Sequence, residues 1–179
     1  MKKITLIVLL IIAIKSFAQD KMVTYGAIIH FEASIPLFEE VKASNEKTTC
    51  ILITKTGQIA CWMNIKDFKF QRSLMEEHFN ENYMESKRFP RAVFKGKIEK
   101  FDLKNINSVP KQYQINGKIT IHGKTKKIDI SGTLKKVDKR IELISEFPLN
   151  TDDFMIEIPF IVRSKISKSV NTQLICVLR

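Results

Sequence analysis

Apolar and polar residues alternate along much of this chain, and the alternation predicts β-strands. From Tyr113 to His122 every second residue is apolar or Gly, and the pattern returns from Lys127 to Leu134. A period of two is typical of strands with one buried and one solvated face. Because Gly123 lies in the short connection between them, the two strands are predicted to form an antiparallel hairpin.

The isoleucines of this hairpin suggest its register. A turn centred between residues 124 and 125 places Ile119 opposite Ile130 and Gly117 opposite Gly132, with all inward positions matched. Two facing glycines remove side-chain volume from the inner wall. The favoured interpretation is a bend that closes a barrel, and the alternatives are a close approach of another backbone or a hollow for a ligand.

Further segments carry shorter strand patterns, and together they predict an all-β fold. The residues of the first pattern that share a face include Val23, Tyr25, Ala27, Ile29 and Phe31. The predicted strands, in addition to the hairpin, span residues 22–32, 49–54, 59–65, 93–103, 140–147 and 172–178, with 153–158 also extended. About eight antiparallel strands with little helix fit a closed up-and-down barrel or a sandwich, and they exclude a parallel α/β sheet.

One amphipathic helix is predicted to start at Ser73. Ser73 and Glu76 have the spacing of a capping box. Met75, Phe79 and Tyr83 then follow at steps of four on one face. Such a helix among strands is expected to cover an opening or an edge of the barrel, and a lid is an equal alternative.

The first 18 residues have the features of a secretory signal peptide. Lys2 and Lys3 precede an apolar run over residues 4–14, and the small residues Ser16 and Ala18 precede a cleavage site at Gln19. The run is too short to span a bilayer with margin. We therefore expect residues 1–18 to be removed and residues 19–179 to form one exported domain, periplasmic or secreted.

The mature chain is basic. Loss of Lys2, Lys3 and Lys15 lowers the formal net charge of +11 by three, to +8. In an exported protein this charge favours transient contact with anionic lipid headgroups and not with nucleic acid. A basic surface that simply keeps the protein soluble is the plainer alternative.

Three cysteines do not make a disulfide framework. Cys50 and Cys61 flank a predicted turn at residues 55–58. If that turn is centred between residues 56 and 57, Cys50 faces Met63 and the two thiols are diagonal, usually too far apart for a bond. Buried apolar thiols are therefore expected for the pair and for Cys176.

Catalytic motifs are absent from the sequence. His30, His78 and His122 fall on separate predicted elements, and no H-E-x-x-H or G-x-S-x-G motif occurs. His78 and Glu81 share a helix face and could bind a metal in principle, but a solvated helix surface is the favoured interpretation. We expect no enzyme, no catalytic or metal-binding residue and no cofactor.

Three segments together resemble one protein family. They are F-K-F-Q-R-S-L-M-E-E-H-F-N-E-N-Y-M-E-S-K-R-F-P-R-A-V-F-K-G-K-I from Phe68 to Ile98, G-K-I-T-I-H-G-K-T-K from Gly117 to Lys126, and D-F-M-I-E-I-P from Asp153 to Pro159. In this order they resemble the YceI-like family of exported lipid-binding proteins. The resemblance implies a lipocalin-like barrel whose apolar interior holds an isoprenoid or other amphiphilic chain.

The expected function is accordingly non-enzymatic binding, with transport or storage, of a polyisoprenoid, an isoprenoid quinone or a fatty-acid-like lipid. The alternatives are a structural or interaction module of the envelope with a packed barrel, or a metal-dependent enzyme. The residues expected to contact the ligand are inward-facing: Phe31, Phe79, Tyr83, Phe94, Ile115, Gly117, Ile119, Ile130 and Gly132.

Overall fold

The computed structural model describes residues 21–179, and the predicted signal peptide lies outside them. Within this range the chain is mainly strand, with one short α-helix, α1 (Ser73–His78), that continues as a π-helical turn (Phe79–Tyr83). The strands are β1 (Lys21–Ser34), β2 (Lys42–Ile53), β3 (Gln58–Asn64), β4 (Lys69–Phe70), β5 (Arg91–Ile98), β6 (Lys111–Ile121), β7 (Lys124–Val137), β8 (Arg140–Asn150) and β9 (Ile166–Leu178).

These strands close into a barrel. Apart from the two-residue β4, each strand pairs antiparallel with its neighbours in sequence, and β1 pairs with both β2 and β9. The ring therefore contains eight strands, and β4 lies against the start of β2. The predicted antiparallel, lipocalin-like up-and-down barrel with one short amphipathic helix is confirmed.

The two ends of the barrel differ. One end, here called the loop end, carries the long connections 35–41, 65–90 and 151–165 together with the turn at 122–123. The opposite end, called the packed end, carries the connections 54–57, 99–110 and 138–139. Its interior is filled by fully buried side chains such as Leu52, Ile98, Leu134, Cys176 and Leu178.

The register predicted for the β6–β7 hairpin is wrong. His122 and Gly123 form a two-residue turn with φ values of 48° and 72°, as the tight primed turns of hairpins require. Ile115 consequently lies opposite Ile130, and Gly117 lies opposite Ile128. The predicted and observed registers differ by an even number of residues, so every side chain faces the same side of the sheet in both. The alternation of apolar and polar residues therefore could not distinguish the two registers.

The glycines of the inner wall are also paired differently. Gly117 lies opposite Gly96 of β5, whereas Gly132 lies opposite Tyr113 and Ser145. No hollow lies over Gly117 or Gly132. The ring of Phe94 covers the first, and the side chains of Leu143 and Ile115 approach the second.

Strand β1 does not keep the predicted alternation along its whole length. Its pairing with β2 shifts between Thr24 and Ala27, which is the mark of a β-bulge. Ala27 and Ile29 face the core as predicted, but in the part of β1 that precedes the bulge the predicted inward residues face outward. Tyr25 is consequently 73% exposed.

The prediction of free thiols at Cys50 and Cys61 is wrong. The connection 54–57 has four residues and ends at Gly57, whose φ is 72°. This turn places Cys50 directly opposite Cys61, with Cα atoms 4.1 Å apart, and the two form a disulfide. The prediction failed because it centred the turn one residue too late, which made the thiols diagonal.

Two further sequence predictions fail near the loop end. Residues 153–158 form no strand, because Thr151–Phe154 forms a 3-10 helix and Met155 then adopts a left-handed φ of 53°. The capping box of α1 is absent. Arg72 is the N-cap, and the Glu76 carboxylate instead lies 2.6 Å from Lys69 Nζ and accepts a hydrogen bond from the Phe70 N–H.

Candidate ligand cavity

A cavity of about 450 Å³ occupies the loop-end half of the barrel. Its wall is made of inward residues of the strands, and it is completed by α1 and by the connection between β8 and β9. Nearly all of the lining side chains are apolar, so the cavity favours an apolar guest. Toward the packed end it stops at the layer of side chains around Ile115 and Leu143, which both line it.

Most of the residues predicted from sequence lie at this cavity. Those that line it are Phe31, Phe79, Tyr83, Phe94, Ile115, Ile119 and Ile130. Gly117 and Gly132 do not line it, because neighbouring side chains cover them. That the seven lining residues contact a ligand stays a prediction.

Several lining residues were not singled out from sequence. Phe68 lies between β3 and β4, and Phe70 ends β4. Phe147 lies near the end of β8, and Phe154 follows it in a 3-10 helix. Alternation marks Phe147 as inward, since it shares its face with Leu143. The connections have no periodic pattern, so sequence alone could not assign the others to the cavity.

Four phenylalanines attach α1 to the barrel. The ring of Phe79 lies 5.5 Å from that of Phe31, 5.6 Å from Phe68 and 5.1 Å from Phe70, measured between centroids. Aromatic pairs at such distances contribute about 0.5–1.5 kcal/mol each beyond their burial. The cluster therefore holds the apolar face of the helix over the cavity, which is the covering role predicted for it.

Tyr83 brings a phenol to the cavity wall. Burial raises the pKa of Tyr83 above its ordinary value because the phenolate would lose hydration. At neutral pH the side chain is therefore an uncharged ring with one O–H group. Such a group is compatible with an apolar chain and can donate a hydrogen bond to an oxygen of a bound amphiphile.

A histidine joins three connections at the loop end. His122 Nδ1 lies 3.1 Å from the Phe154 carbonyl oxygen, and Nε2 lies 3.1 Å from Glu85 Oε1. The carbonyl and carboxylate oxygens both only accept, so a ring nitrogen that bonds to either of them donates. The Phe89 ring contacts the imidazole at a centroid distance of 4.5 Å. The turn at 122–123 thus fastens the end of the helical segment and the β8–β9 connection beside the cavity.

No metal-binding cluster is present within residues 21–179, since no three His, Cys, Asp or Glu side chains there are placed to share an ion. His78 lies at the edge of the cavity and is exposed. In the same part of the chain, no helix has the length and apolar character needed to cross a bilayer.

An eight-stranded barrel is either filled by its own side chains or wide enough for one small ligand, and the apolar hollow at the loop end leaves such a space in this barrel. The chain belongs to the family of the YceI-like domain, whose model matches residues 15–177. None of the curated proteins compared matches this chain.

Solved structures share the fold at low sequence identity. A polyisoprenoid-binding domain from Saccharophagus degradans, implicated in plant cell wall breakdown, is 13% identical with a TM-score of 0.76, over 89% of this chain and 98% of that chain. BcnA of Burkholderia cenocepacia is 13% identical with a TM-score of 0.70, over 86% and 96%. The YceI protein of Campylobacter jejuni is 16% identical with a TM-score of 0.64, over 80% and 86%.

Proposed function

We propose that this protein binds one long-chain amphiphile, such as a polyisoprenoid, an isoprenoid quinone or a fatty-acid-like lipid, inside the barrel and without catalysis. The observation that carries the proposal is the apolar cavity of about 450 Å³, a volume within the range of small-molecule sites. The polyisoprenoid-binding domain that shares the fold supports the ligand class. A fully packed structural barrel does not agree with the cavity.

Transport or storage of the ligand is part of the proposal, and the energetics of such a site support it. Burying one methylene group is worth about 0.8 kcal/mol relative to water, but a bilayer provides nearly the same gain. Exchange of the ligand between bilayer and protein is then close to balanced. This balance suits a carrier or a buffer that both loads and unloads.

The proposed location is outside the cytoplasm, in the periplasm or beyond. The disulfide between Cys50 and Cys61 supports it, because disulfides persist in oxidising compartments. The signal peptide predicted over residues 1–18 is consistent with the same location. N-terminal sequencing of the protein recovered from its host tests the predicted start at Gln19.

The binding experiment uses two neighbouring residues of β5 that face opposite ways. Ala92 lines the cavity and is 5% exposed. Val93 does not line it, and it shares the outward face of β5 with the exposed Lys95. Ala92→Phe should fill part of the cavity, and Val93→Phe adds the same ring outside it. Solvent extraction followed by mass spectrometry, and titration with a fluorescent prenyl or fatty-acid probe, measure occupancy in the wild type and both variants.

We expect a long-chain amphiphile or saturable probe binding in the wild type and in Val93→Phe, and at least a tenfold weaker affinity in Ala92→Phe. Urea unfolding establishes that both variants are folded. If the wild type releases no amphiphile and binds no probe, or if both substitutions have the same effect on binding, the proposal is wrong.

A further inference from the structure

Exposed apolar side chains are concentrated at the loop end of the barrel. Within residues 21–179, nine large apolar residues are exposed, and six of them lie at this end. Leu37 is 104% exposed, and Phe160 and Ile161 are each 84% exposed. Scattered exposed apolar residues are ordinary on a soluble protein, but a group of them at one end of the molecule indicates an interaction surface.

These residues surround the mouth of the cavity. Five of the six come from the connection 35–41, from α1 and from the 3-10 helix Phe160–Val162, and each of these segments also contributes a lining residue, namely Val41, Leu74 or Val162. The sixth, Met155, follows the 3-10 helix Thr151–Phe154. The pairing of Ser34 with Ile166 brings the first and third segments side by side. The surface is called the docking rim below, and it comprises Leu37, Phe38, Leu74, Phe160 and Ile161.

The backbone holds part of the docking rim in the solvent. Leu37 has a φ of 72°, a left-handed conformation that is unfavourable for a residue with a Cβ. An ion pair of 2.5 Å between Glu39 and Arg72 ties this connection to the start of α1. A leucine in a strained conformation and fully in water gains nothing in the isolated protein, so its placement suggests a contact with another phase or molecule.

The charges near the docking rim favour an anionic partner. Two acidic residues near it are paired with cations, Glu39 with Arg72 and Asp152 with Lys168 at 2.8 Å, while Glu77 and Glu157 are exposed. Arg163 and Lys165 follow Ile161 closely and make no ion pair with any residue of the 21–179 range. Exposed apolar residues flanked by unpaired cations are the combination that binds the interface of an anionic bilayer.

We propose that the docking rim inserts into the surface of an anionic lipid membrane and places the cavity mouth against the acyl chains. This inference rests on the proposed function, since it gives the bound amphiphile a route between bilayer and cavity that avoids bulk water. Phe160, Ile161 and Leu37 lie in the headgroup region, while Arg163 and Lys165 contact lipid phosphates.

The test compares two double variants with matched chemistry. Phe160→Ser with Ile161→Ser removes apolar surface at the docking rim, and Leu103→Ser with Val109→Ser removes exposed apolar surface at the packed end. Flotation with vesicles of phosphatidylcholine alone, or mixed equally with phosphatidylglycerol, measures binding. We expect the rim variant to bind the anionic vesicles at least tenfold more weakly than the wild type, and the packed-end variant to bind like the wild type.

A charge variant separates the two parts of the surface. Arg163→Gln with Lys165→Gln should abolish the preference for vesicles that contain phosphatidylglycerol. Equal binding of the wild type and the rim variant overturns the inference. It is also overturned if the wild type binds no vesicles and sedimentation reveals a dimer that the rim variant loses, because a second copy then covers the docking rim.

Titration with the soluble probe in the absence of vesicles distinguishes this inference from the proposed function. The rim variant should bind the probe like the wild type, while its transfer of the probe to anionic vesicles slows at least tenfold. Normal transfer with normal probe binding contradicts the docking rim alone. Absence of probe binding in the wild type contradicts the proposed function, and the vesicle flotation still decides whether the rim meets a membrane.

Discussion

Phe94 sets the depth of the cavity. Its ring lies over the facing pair Gly96 and Gly117, where an added Cβ would come within 2.6 Å of the ring at either glycine. The next pair toward the packed end, Ile98 and Ile115, is buried. The ring therefore fills the space that the two glycines leave and forms part of the cavity floor.

Phe94→Ala should deepen the cavity at a moderate loss of stability. Phe to Ala substitutions in cores lower the free energy of unfolding by about 3–5 kcal/mol, and we expect about 3 kcal/mol because Phe94 is only half-buried. The glycines cannot refill the space. A guest chain that enters it gains about 0.8 kcal/mol, or about fourfold in affinity, for each methylene, and two methylenes give about 15-fold.

The assay is a series of saturated fatty acids of increasing length that displace a fluorescent probe. Affinity for the wild type should rise with chain length and then level off when the chain reaches Phe94. In Phe94→Ala the affinity should continue to rise for at least two more carbons. Phe94→Leu keeps most of the volume and serves as the control, with a limit close to that of the wild type.

An unchanged limit in a folded Phe94→Ala variant would refute this reasoning. It would mean that the ligand ends elsewhere, or that neighbouring side chains collapse into the vacated space. Urea unfolding distinguishes a collapsed wall from an open one, because collapse reduces the loss of stability below about 3 kcal/mol.

Three further predictions concern stability and reactivity. Cys50→Ala with Cys61→Ala should lower the free energy of unfolding by about 2.8 kcal/mol, the loop-closure value for a separation of 11 residues; an unchanged urea midpoint would contradict it. Burial raises the pKa of Cys176 to about 12, so at pH 9 this thiol stays neutral in the folded protein. Iodoacetamide should therefore label it only after unfolding, as measured by mass spectrometry, and rapid labelling of the native protein would contradict the prediction. His122→Ala removes two hydrogen bonds, which together are worth about 1–3 kcal/mol, and amide hydrogen exchange should therefore become faster in residues 79–90 and 151–155. Protection equal to that of the wild type would mean that His122 does not hold these two connections in place.

The inward faces of the strands could be predicted because alternation is local. Ile115, Ile119 and Ile130 were assigned from period two, and Phe79 and Tyr83 from the helical spacing, and all of them line the cavity. The assignment fails at Tyr25, where a bulge adds a residue without any marked change in composition. Alternation therefore predicts faces reliably only between irregularities of the strand.

Pairing was harder to predict than faces. The β6–β7 register and the turn between Cys50 and Cys61 were both misplaced, because turn geometry depends on which residues adopt a positive φ. His122 does so although it is not Gly, and this moves the hairpin turn to 122–123. The disulfide could be recognised only from the observed strand register, in which Cys50 lies directly opposite Cys61.

The chain's own pattern of residues determined an antiparallel β fold, its inward faces, one amphipathic helix and membership of the family, since each depends on neighbouring positions. Tertiary structure decided where the interior is empty. The cavity is bounded below by the Phe94 ring, which lies over two glycines, and by the filled packed end. The connections 65–90 and 151–165 contribute its wall at the loop end. Such contacts join residues far apart in the chain, and only closure of the barrel brings them together.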